Sequence, residues 1–335
     1  MARPTMRDVA STAGVSLKTV SRVVNAEAGV RDATAARVEA AIRELGFARN
    51  DVARSLRNGR AAALGLIIED VANPFYSAIA RAVENAAHAR GHMVITASCE
   101  EDPERERDLV LRLLRRSVDG LIIVPAGNDH SYMEDELSAG TPVVFLDRPP
   151  RGVEADTVLA DNAGGARAAV DHLLAGGHER IAFVGDARTM YTAGERLTGY
   201  EAALRDAGVG PSPELVRDGS HNADTARAVV GELLALPAGR RPTALFCANN
   251  RNTLGALRAL RDAARAIALV GFDDFEFADM LATPVTVVRQ APEEMGRIAA
   301  GLAYDRLDAA DAPAARRSTI ACELVVRGSG EVAPA

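Results

Sequence analysis

Four side chains near the start of this chain, Lys18, Ser21, Arg22 and Asn25, recur at i, i+3, i+4 and i+7, which places them on one face of a helix. They offer an ammonium, a guanidinium, a hydroxyl and an amide, the groups that hold phosphates and read base-pair edges. Val20, Val23 and Val24 fall on the opposite, inward face. Just upstream, Val9, Ala10 and Ala13 give a short helix with one apolar stripe, Gly14 allows the left-handed turn that ends it, and Ser16 can cap the next helix. The pattern is that of a helix-turn-helix whose second helix enters a major groove; an ordinary amphipathic hairpin is the bland alternative.

A second chemistry-bearing set lies further on, after short apolar runs. Asn73-Pro74-Phe75-Tyr76, Asp147-Arg148, Asp161-Asn162, Asn249-Asn250 and Asp273-Asp274 each follow such a run, with Arg196 and Gln290 as further polar candidates. Carboxylates, amides, a guanidinium and aromatic faces together suit a small polyhydroxylated or heterocyclic ligand. Asp161-Asn162 and Asn249-Asn250 could equally cap the helices after them, and Phe75 and Tyr76 could be core or subunit-interface residues. No lysine and few arginines fall near these positions, which favours a neutral sugar or nucleoside over a phosphorylated one.

The elements that must position these groups are legible from periodicity. Residues 1–48 read as a three-helix head, the third helix capped by Asp32, carrying Ala35, Val38, Ile42 and Leu45 inward and stopping at Gly46. Residues 49–60 form a hinge helix and linker with Val52, Ala53 and Leu56 on one side, too short to be stable alone. From residue 61 to 335, apolar strand-sized runs such as Ala63–Ile68, Met93–Ser98, Thr243–Cys247 and Ile267–Phe272 alternate with alanine-rich helices. Unbroken apolar runs imply parallel strands buried on both faces, hence an α/β core of two doubly wound subdomains. Their expected extents are 61–161 with 290–321, and 162–289 with 322–335. In such sheets ligands bind beyond the carboxyl ends of the strands, where the polar set lies.

Charge separates the two parts. Residues 1–60 hold 11 basic and 6 acidic side chains, or +5, and the other 28 basic and 40 acidic give −12, which together make the net −7. A basic module on an acidic body is expected if only the module neutralises phosphates. At 335 residues and 48% hydrophobic the chain can bury a sizeable core. Cys99, Cys247 and Cys322 are far apart, so neither a disulfide framework nor a metal site is expected, and no cofactor is called for. Apolar runs fall well short of the roughly 18 residues of a membrane span, and no apolar leader opens the chain, so a cytoplasmic location without membrane contact is expected. A Rossmann enzyme would need a G-x-G-x-x-G or Walker loop, and neither occurs in a suitable context. A secreted sugar-binding protein would explain the core but not the basic head.

These stretches, in order, resemble the LacI/GalR family of transcription regulators over essentially the full length: RDVASTAGVSLKTVSRVVN, ARVEAAIRELGF, VARSLRNGR, NPFYSAIARAVENAAHARGH, VDGLIIVPA, FLDRP, GHERIAFVGD, ERLTGYEAAL, LVGFDDFEFAD and VVRQAPEEMG. The resemblance implies a homodimer on pseudo-palindromic double-stranded operator DNA, a periplasmic-binding-protein-like core, and a small-molecule effector, sugar or nucleoside-like, controlling a repressor. It assigns DNA contacts to Thr5, Met6, Ser16, Leu17, Lys18, Thr19, Ser21, Arg22 and Asn25, and hinge contacts to Asn50, Ala53 and Leu56, with Leu56 as a minor-groove wedge. Effector contacts fall to Phe75, Asp147, Arg196, Asn249, Asp273 and Gln290. The chain departs from the family pattern at Arg49, where proline is common, at Asn250, where aspartate is usual, and in the short link from Leu260 to Ile267. It also has no leucine-heptad tail after Val326, which favours a dimer over a tetramer.

Overall fold

The computed structural model describes residues 4–25, 27–47, 62–210, 212–309 and 314–334. It divides into two compact units, residues 1–61 and 62–335. The hinge residues Arg49, Asn50, Ala53 and Leu56 lie outside the described residues.

In the first unit, α1 (Met6–Ala13), α2 (Leu17–Val24) and α3 (Asp32–Leu45) enclose a small core of Val9, Ala10, Ala13, Val20, Val38 and Ala41, with Val23, Val24, Ile42 and Leu45 packed around it. Local chemistry sets the ends. Thr5 and Asp8 form a reciprocal capping box on α1, in which the Thr5 amide donates to Asp8 Oδ2 at 2.7 Å. Gly14, at φ 62°, closes α1 in the left-handed conformation that the turn requires. Ser16 caps α2 by accepting the Thr19 amide at 3.1 Å. The cap expected at Asp32 falls one residue earlier, on Arg31, which makes no side-chain cap bond; Asp32 sits inside the first turn, where its charge meets the positive end of the helix dipole.

The second unit holds two six-stranded sheets. Along the chain run β1 (Ala63–Ile68), α4 (Pro74–Ala89), β2 (Met93–Ser98), α5 (Pro103–Arg115), β3 (Gly120–Ile123), α6 (Glu134–Ser138), β4 (Val143–Leu146) and β5 (Asp156–Ala160). The second half follows with α7 (Asn162–Ala175), β6 (Ile181–Val184), α8 (Tyr191–Asp206), β7 (Val216–Arg217), α9 (Ala223–Ala235), β8 (Ala244–Cys247), α10 (Asn250–Asp262) and β9 (Ala268–Phe272). It ends with β10 (Thr286–Arg289), α11 (Pro292–Asp308), β11 (Arg317–Ile320) and β12 (Glu323–Val325). The first sheet has the order β11-β5-β4-β3-β1-β2 and is parallel throughout; the second, β12-β10-β9-β8-β6-β7, is parallel except for β12 against β10. The central strands are fully buried, as their unbroken apolar runs require.

Four strands escape an apolar-run reading. β5 opens on Asp156, which is fully buried while Arg306 donates to both of its oxygens, at 2.7 and 3.0 Å, and the Arg316 amide donates to Oδ1 at 2.7 Å. β7 has two residues, and β11 and β12 are edge strands, β11 with alternating exposed positions and β12 with its first residue exposed. The chain passes between sheets after β5, after β10 and between β11 and β12, always at the same edge of each sheet. That edge is the hinge side, and β1–β2 and β6–β7 form the far side.

Candidate functional site

On the head, α2 presents Leu17, Lys18 and Arg22 to solvent, with Leu17 45% exposed despite its apolar side chain. Ser21 and Asn25 are half-buried, and the Asn25 amide donates to Ser21 Oγ at 3.3 Å. Ser16 Oγ lies 2.9 Å from Thr19 Oγ1, so both hydroxyls sit at the start of the helix, where backbone N–H groups point outward. The face therefore combines a positive helix end, two cations and one exposed apolar side chain.

The core holds a cavity of about 630 Å³ between the carboxyl ends of the strands of both sheets. Its wall is made by residues following β1, β2, β3, β4, β6, β8, β9 and β10, so strand order converts directly into position along the cleft. All six residues carried over as effector contacts line it: Phe75, Asp147, Arg196, Asn249, Asp273 and Gln290.

At the hinge side the two sheets present matching devices. Asp147 after β4 and Asp273 after β9 both have positive φ, 67° and 68°, and each donates its amide to the neighbouring strand, to Val158 at 2.8 Å and Val288 at 2.9 Å. Aspartate tolerates this left-handed geometry better than most residues, and it turns the carboxylate off the strand line into the cleft. Tyr76 donates to Asp147 Oδ2 at 3.3 Å, and Gln290 Nε2 donates to Asp273 Oδ1 at 2.5 Å. Asp147 Oδ1 and Gln290 Oε1 are buried without a hydrogen-bond partner among the described residues. Burial raises the Asp147 carboxyl above its ordinary value and pushes the Tyr76 phenol well up, with Asp147 adding to the latter.

Arg196, on α8, is held on three sides. Its Nε donates to Asn162 Oδ1 at 2.7 Å, its Nη1 to the Ala248 carbonyl at 2.5 Å, and its guanidinium lies 3.9 Å from the centre of the Phe272 ring. Nη1 also lies 3.9 Å from Asp273 Oδ2. Gly199 lets α8 approach α7 this closely, since a Cβ there would sit 2.2 Å from the Ala163 carbonyl oxygen. Phe75 and Tyr76 meet edge to face at 5.0 Å and supply the aromatic wall.

Several candidates divide between capping and lining. Asp161 caps α7 through the Gly164 amide at 2.9 Å, while Asn162 next to it positions Arg196. Asn249 caps α10 and also donates to Asp186 at 2.5 Å. Asp274 turns away from the cleft to Arg327, at 2.6 and 2.8 Å.

The far side is strongly charged, and sequence reading missed most of it. Glu69, Asp70, Glu101, Asp186 and Arg251 all line the cavity. Arg148 pairs with both oxygens of Glu101, at 2.6 and 2.7 Å. Burial and then Glu101 push the Glu69 carboxyl up to about 7 against the pull of Arg251 and Arg148, and burial raises Asp186. Glu69 and Asp70 directly follow β1, so the strand-end rule could have found them; Arg251 lies inside α10 and carries no such signal. The expectation of few arginines is corrected. Arg148, Arg151, Arg196 and Arg251 line the cavity, yet seven carboxylates outnumber them: Glu69, Asp70, Glu100, Glu101, Asp147, Asp186 and Asp273. Among the described residues, no His/Cys/Asp/Glu group could hold a metal, and no helix is long and apolar enough to cross a membrane.

Residues 5–50 match the family described as bacterial regulatory proteins, lacI family, and residues 170–330 match a periplasmic binding protein-like domain. The ribose operon repressor of Escherichia coli is 32% identical over 90% of this chain and 93% of its own length. The HTH-type transcriptional repressor PurR of Aliivibrio fischeri is 30% identical over 90% and 91%, and the repressor CytR of E. coli 30% over 98% and 97%. Among solved structures, the lac repressor dimer bound to operator and the anti-inducer ONPF superposes with TM-score 0.87 at 29% identity, covering 98% of this chain and 99% of that one. A complex of the transcriptional regulator CelR with cellobiose gives TM-score 0.71 at 34% identity, covering 98% and 100%. The relatives are named as transcriptional repressors and not as enzymes, and identity at this level extends over head and core alike. This chain belongs to the lacI family of bacterial regulatory proteins, with a DNA-binding domain and a ligand-binding domain.

Proposed function

We propose that the chain is a repressor whose homodimer reads a pseudo-palindromic operator and whose grip is set by a neutral, hydroxyl-rich ligand in the core cleft. The carrying observation is that Asp147 and Gln290, whose Oδ1 and Oε1 are buried without a partner among the described residues, line a cavity of about 630 Å³ together with the clamped Arg196. Buried acceptors without donors cost about 1–3 kcal/mol each, which a ligand hydroxyl recovers. The excess of carboxylates in the wall disfavours a phosphate. The ribose and cellobiose in the names of the related repressor and complex support a saccharide, and a nucleoside shares its hydroxyls.

On the head, Lys18 and Arg22 suit phosphates and guanine edges, Ser16, Thr19, Ser21 and Asn25 supply further polar contacts, and exposed Leu17 suits a thymine methyl group. Thr5 and Met6, at the start of α1, and the hinge residues Asn50, Ala53 and Leu56 are further DNA contacts that the resemblance carries over. Phe277, Met280 and Leu281, all exposed within five residues of one another, supply apolar surface for a second copy. A ligand that shifts the two sheets relative to each other, coupled to the heads by about 1–3 kcal/mol, would change operator affinity roughly 5- to 150-fold.

Two measurements test the reading. The full-length protein is expected to retard DNA from upstream of its own gene at low salt, and absence of binding overturns the DNA reading. In a thermal-shift screen, ribose, cellobiose or a nucleoside is expected to stabilise the core; stabilisation only by sugar phosphates overturns the ligand class.

A further inference from the structure

Arg251 is the first-turn residue of α10 that reaches out of the second sheet's half and grips the first. Its Nη1 lies 3.0 Å from Glu69 Oε1 and its Nη2 2.5 Å from Asp70 Oδ2, both just after β1. Beside it, Asn250 Nδ2 donates to Asn73 Oδ1 at 2.9 Å, a second bridge between the halves. β1 is fifth from the hinge edge of its sheet and β8, which leads into α10, is fourth from the hinge edge of the other, so these contacts lie towards the mouth of the cleft and away from its hinge.

We propose that Arg251 is a latch that holds the mouth of the cleft closed. The electrostatic setting requires a cation here. Glu69, Asp70, Glu101 and Asp186 crowd the mouth; Arg148 is committed to Glu101, and the half-exposed Arg251 supplies the cation that touches both Glu69 and Asp70. Without it, like charges face one another across the gap and favour separation. Burial and then Glu101 hold Glu69 above the ordinary carboxyl range, while Arg251 and Arg148 pull it back down.

Asn250 fits the same device. Asn73 Oδ1 already accepts the Phe75 amide at 3.2 Å as the cap of α4, so it offers an acceptor, and the residue opposite must donate. Asparagine donates, whereas the aspartate usual at this position would set one more carboxylate oxygen against an acceptor. Arg251 and Asn250 thus form one closing edge between the two halves of the cleft. The latch gains its regulatory meaning from reading the cavity as an effector cleft, but its test does not depend on that reading.

The test is amide hydrogen exchange on the ligand-free, DNA-free full-length protein. In Arg251→Ala, amides of residues 69–73 and 249–252 are expected to exchange about fivefold faster than in the native chain, the opening expected from losing a partly exposed bridge. Arg251→Glu alone is expected to exceed that, and the charge-swapped pair Glu69→Arg with Arg251→Glu to bring protection back towards native. Unchanged exchange in Arg251→Ala overturns the latch. A swapped pair no better protected than Arg251→Glu also overturns it, since a merely structural arginine would not be rescued by reversing the charges. A failed operator-binding assay leaves both results standing.

Discussion

The head and the cleft solve the same problem, presenting polar groups to a partner, in opposite ways. On α2 the groups are exposed or half-buried and are held by neighbours three or four residues away, as Ser16 is by Thr19 and Asn25 by Ser21. In the cleft they are buried or partly buried and held by groups far along the chain: buried Arg196 by Asn162, 34 residues away, and partly exposed Arg251 by Glu69, 182 residues away. Exposed groups hold little stability and can be read locally; buried ones hold much and cannot. Substitutions in the two regions should therefore differ in kind.

The largest expected effect is in the cleft. Arg196→Met removes the donor from Asn162 Oδ1 and the Ala248 carbonyl and the cation nearest Asp273, while keeping most of the packing on Phe272. Breaking a buried charged network by removing one partner costs about 3–5 kcal/mol, so the core unfolding midpoint should fall markedly and the ligand response disappear. Thermal unfolding with and without ligand checks this. A core midpoint within a degree of the native one would show that the cleft is as loosely held as the head.

Next comes the pH dependence at Glu69. Its carboxyl is raised in the folded core from 4.5 to about 7, so its contribution to stability is fully present below pH 4.5 and is lost as pH rises through 7. The native core should thus lose on the order of 2–3 kcal/mol between pH 4.5 and 8 from this group alone. Glu69→Gln cannot ionise and should not show that loss, so the stability difference between variant and native chain should grow over this window in denaturant titrations. A constant difference would mean that Glu69 is solvated like a head residue.

Arg22→Ala should leave core unfolding untouched, since the side chain is exposed on α2. If Arg22 reads a base, specific operator affinity should drop by roughly 10- to 100-fold, the loss expected for one bidentate arginine–guanine contact. Fluorescence anisotropy on operator and scrambled DNA separates the cases. An equal loss on both would make Arg22 a phosphate contact.

This contrast also explains what could be read in advance. The head's turn at Gly14, its cap at Ser16 and its outer face follow from spacing alone, because every contact that makes them is local. The polar strand ends of the core were legible for a related reason: parallel strands put their carboxyl ends at the ligand face whatever the tertiary detail. Arg251 was not, because one arginine in a helix's first turn looks like a solvated charge until β1 is laid across from it. β5 was hidden because its first residue, Asp156, is buried against Arg306 and Arg316, 150 and 160 residues later. Asp161 and Asn249 show the middle ground, where the capping signal was read correctly while a neighbour or a second hydrogen bond served the cleft.

The smallest expected effect returns to the head, where it tests whether local really means weak. Ser16 caps α2 through the Thr19 amide and shares a hydroxyl contact with Thr19 Oγ1. Losing such a cap costs about 1 kcal/mol, so in Ser16→Ala the first-turn amides of α2 should exchange roughly fivefold faster. Ser16→Thr keeps a capping oxygen and should restore protection. Operator affinity should fall in Ser16→Ala by no more than the cap energy explains if Ser16 acts only by ordering the helix. A larger loss, recovered in Ser16→Thr, would mean that the hydroxyl also holds a phosphate. The same oxygen would then both cap the helix and contact the DNA, and an exposed, locally held side chain would carry as much of the function as the buried clamp on Arg196.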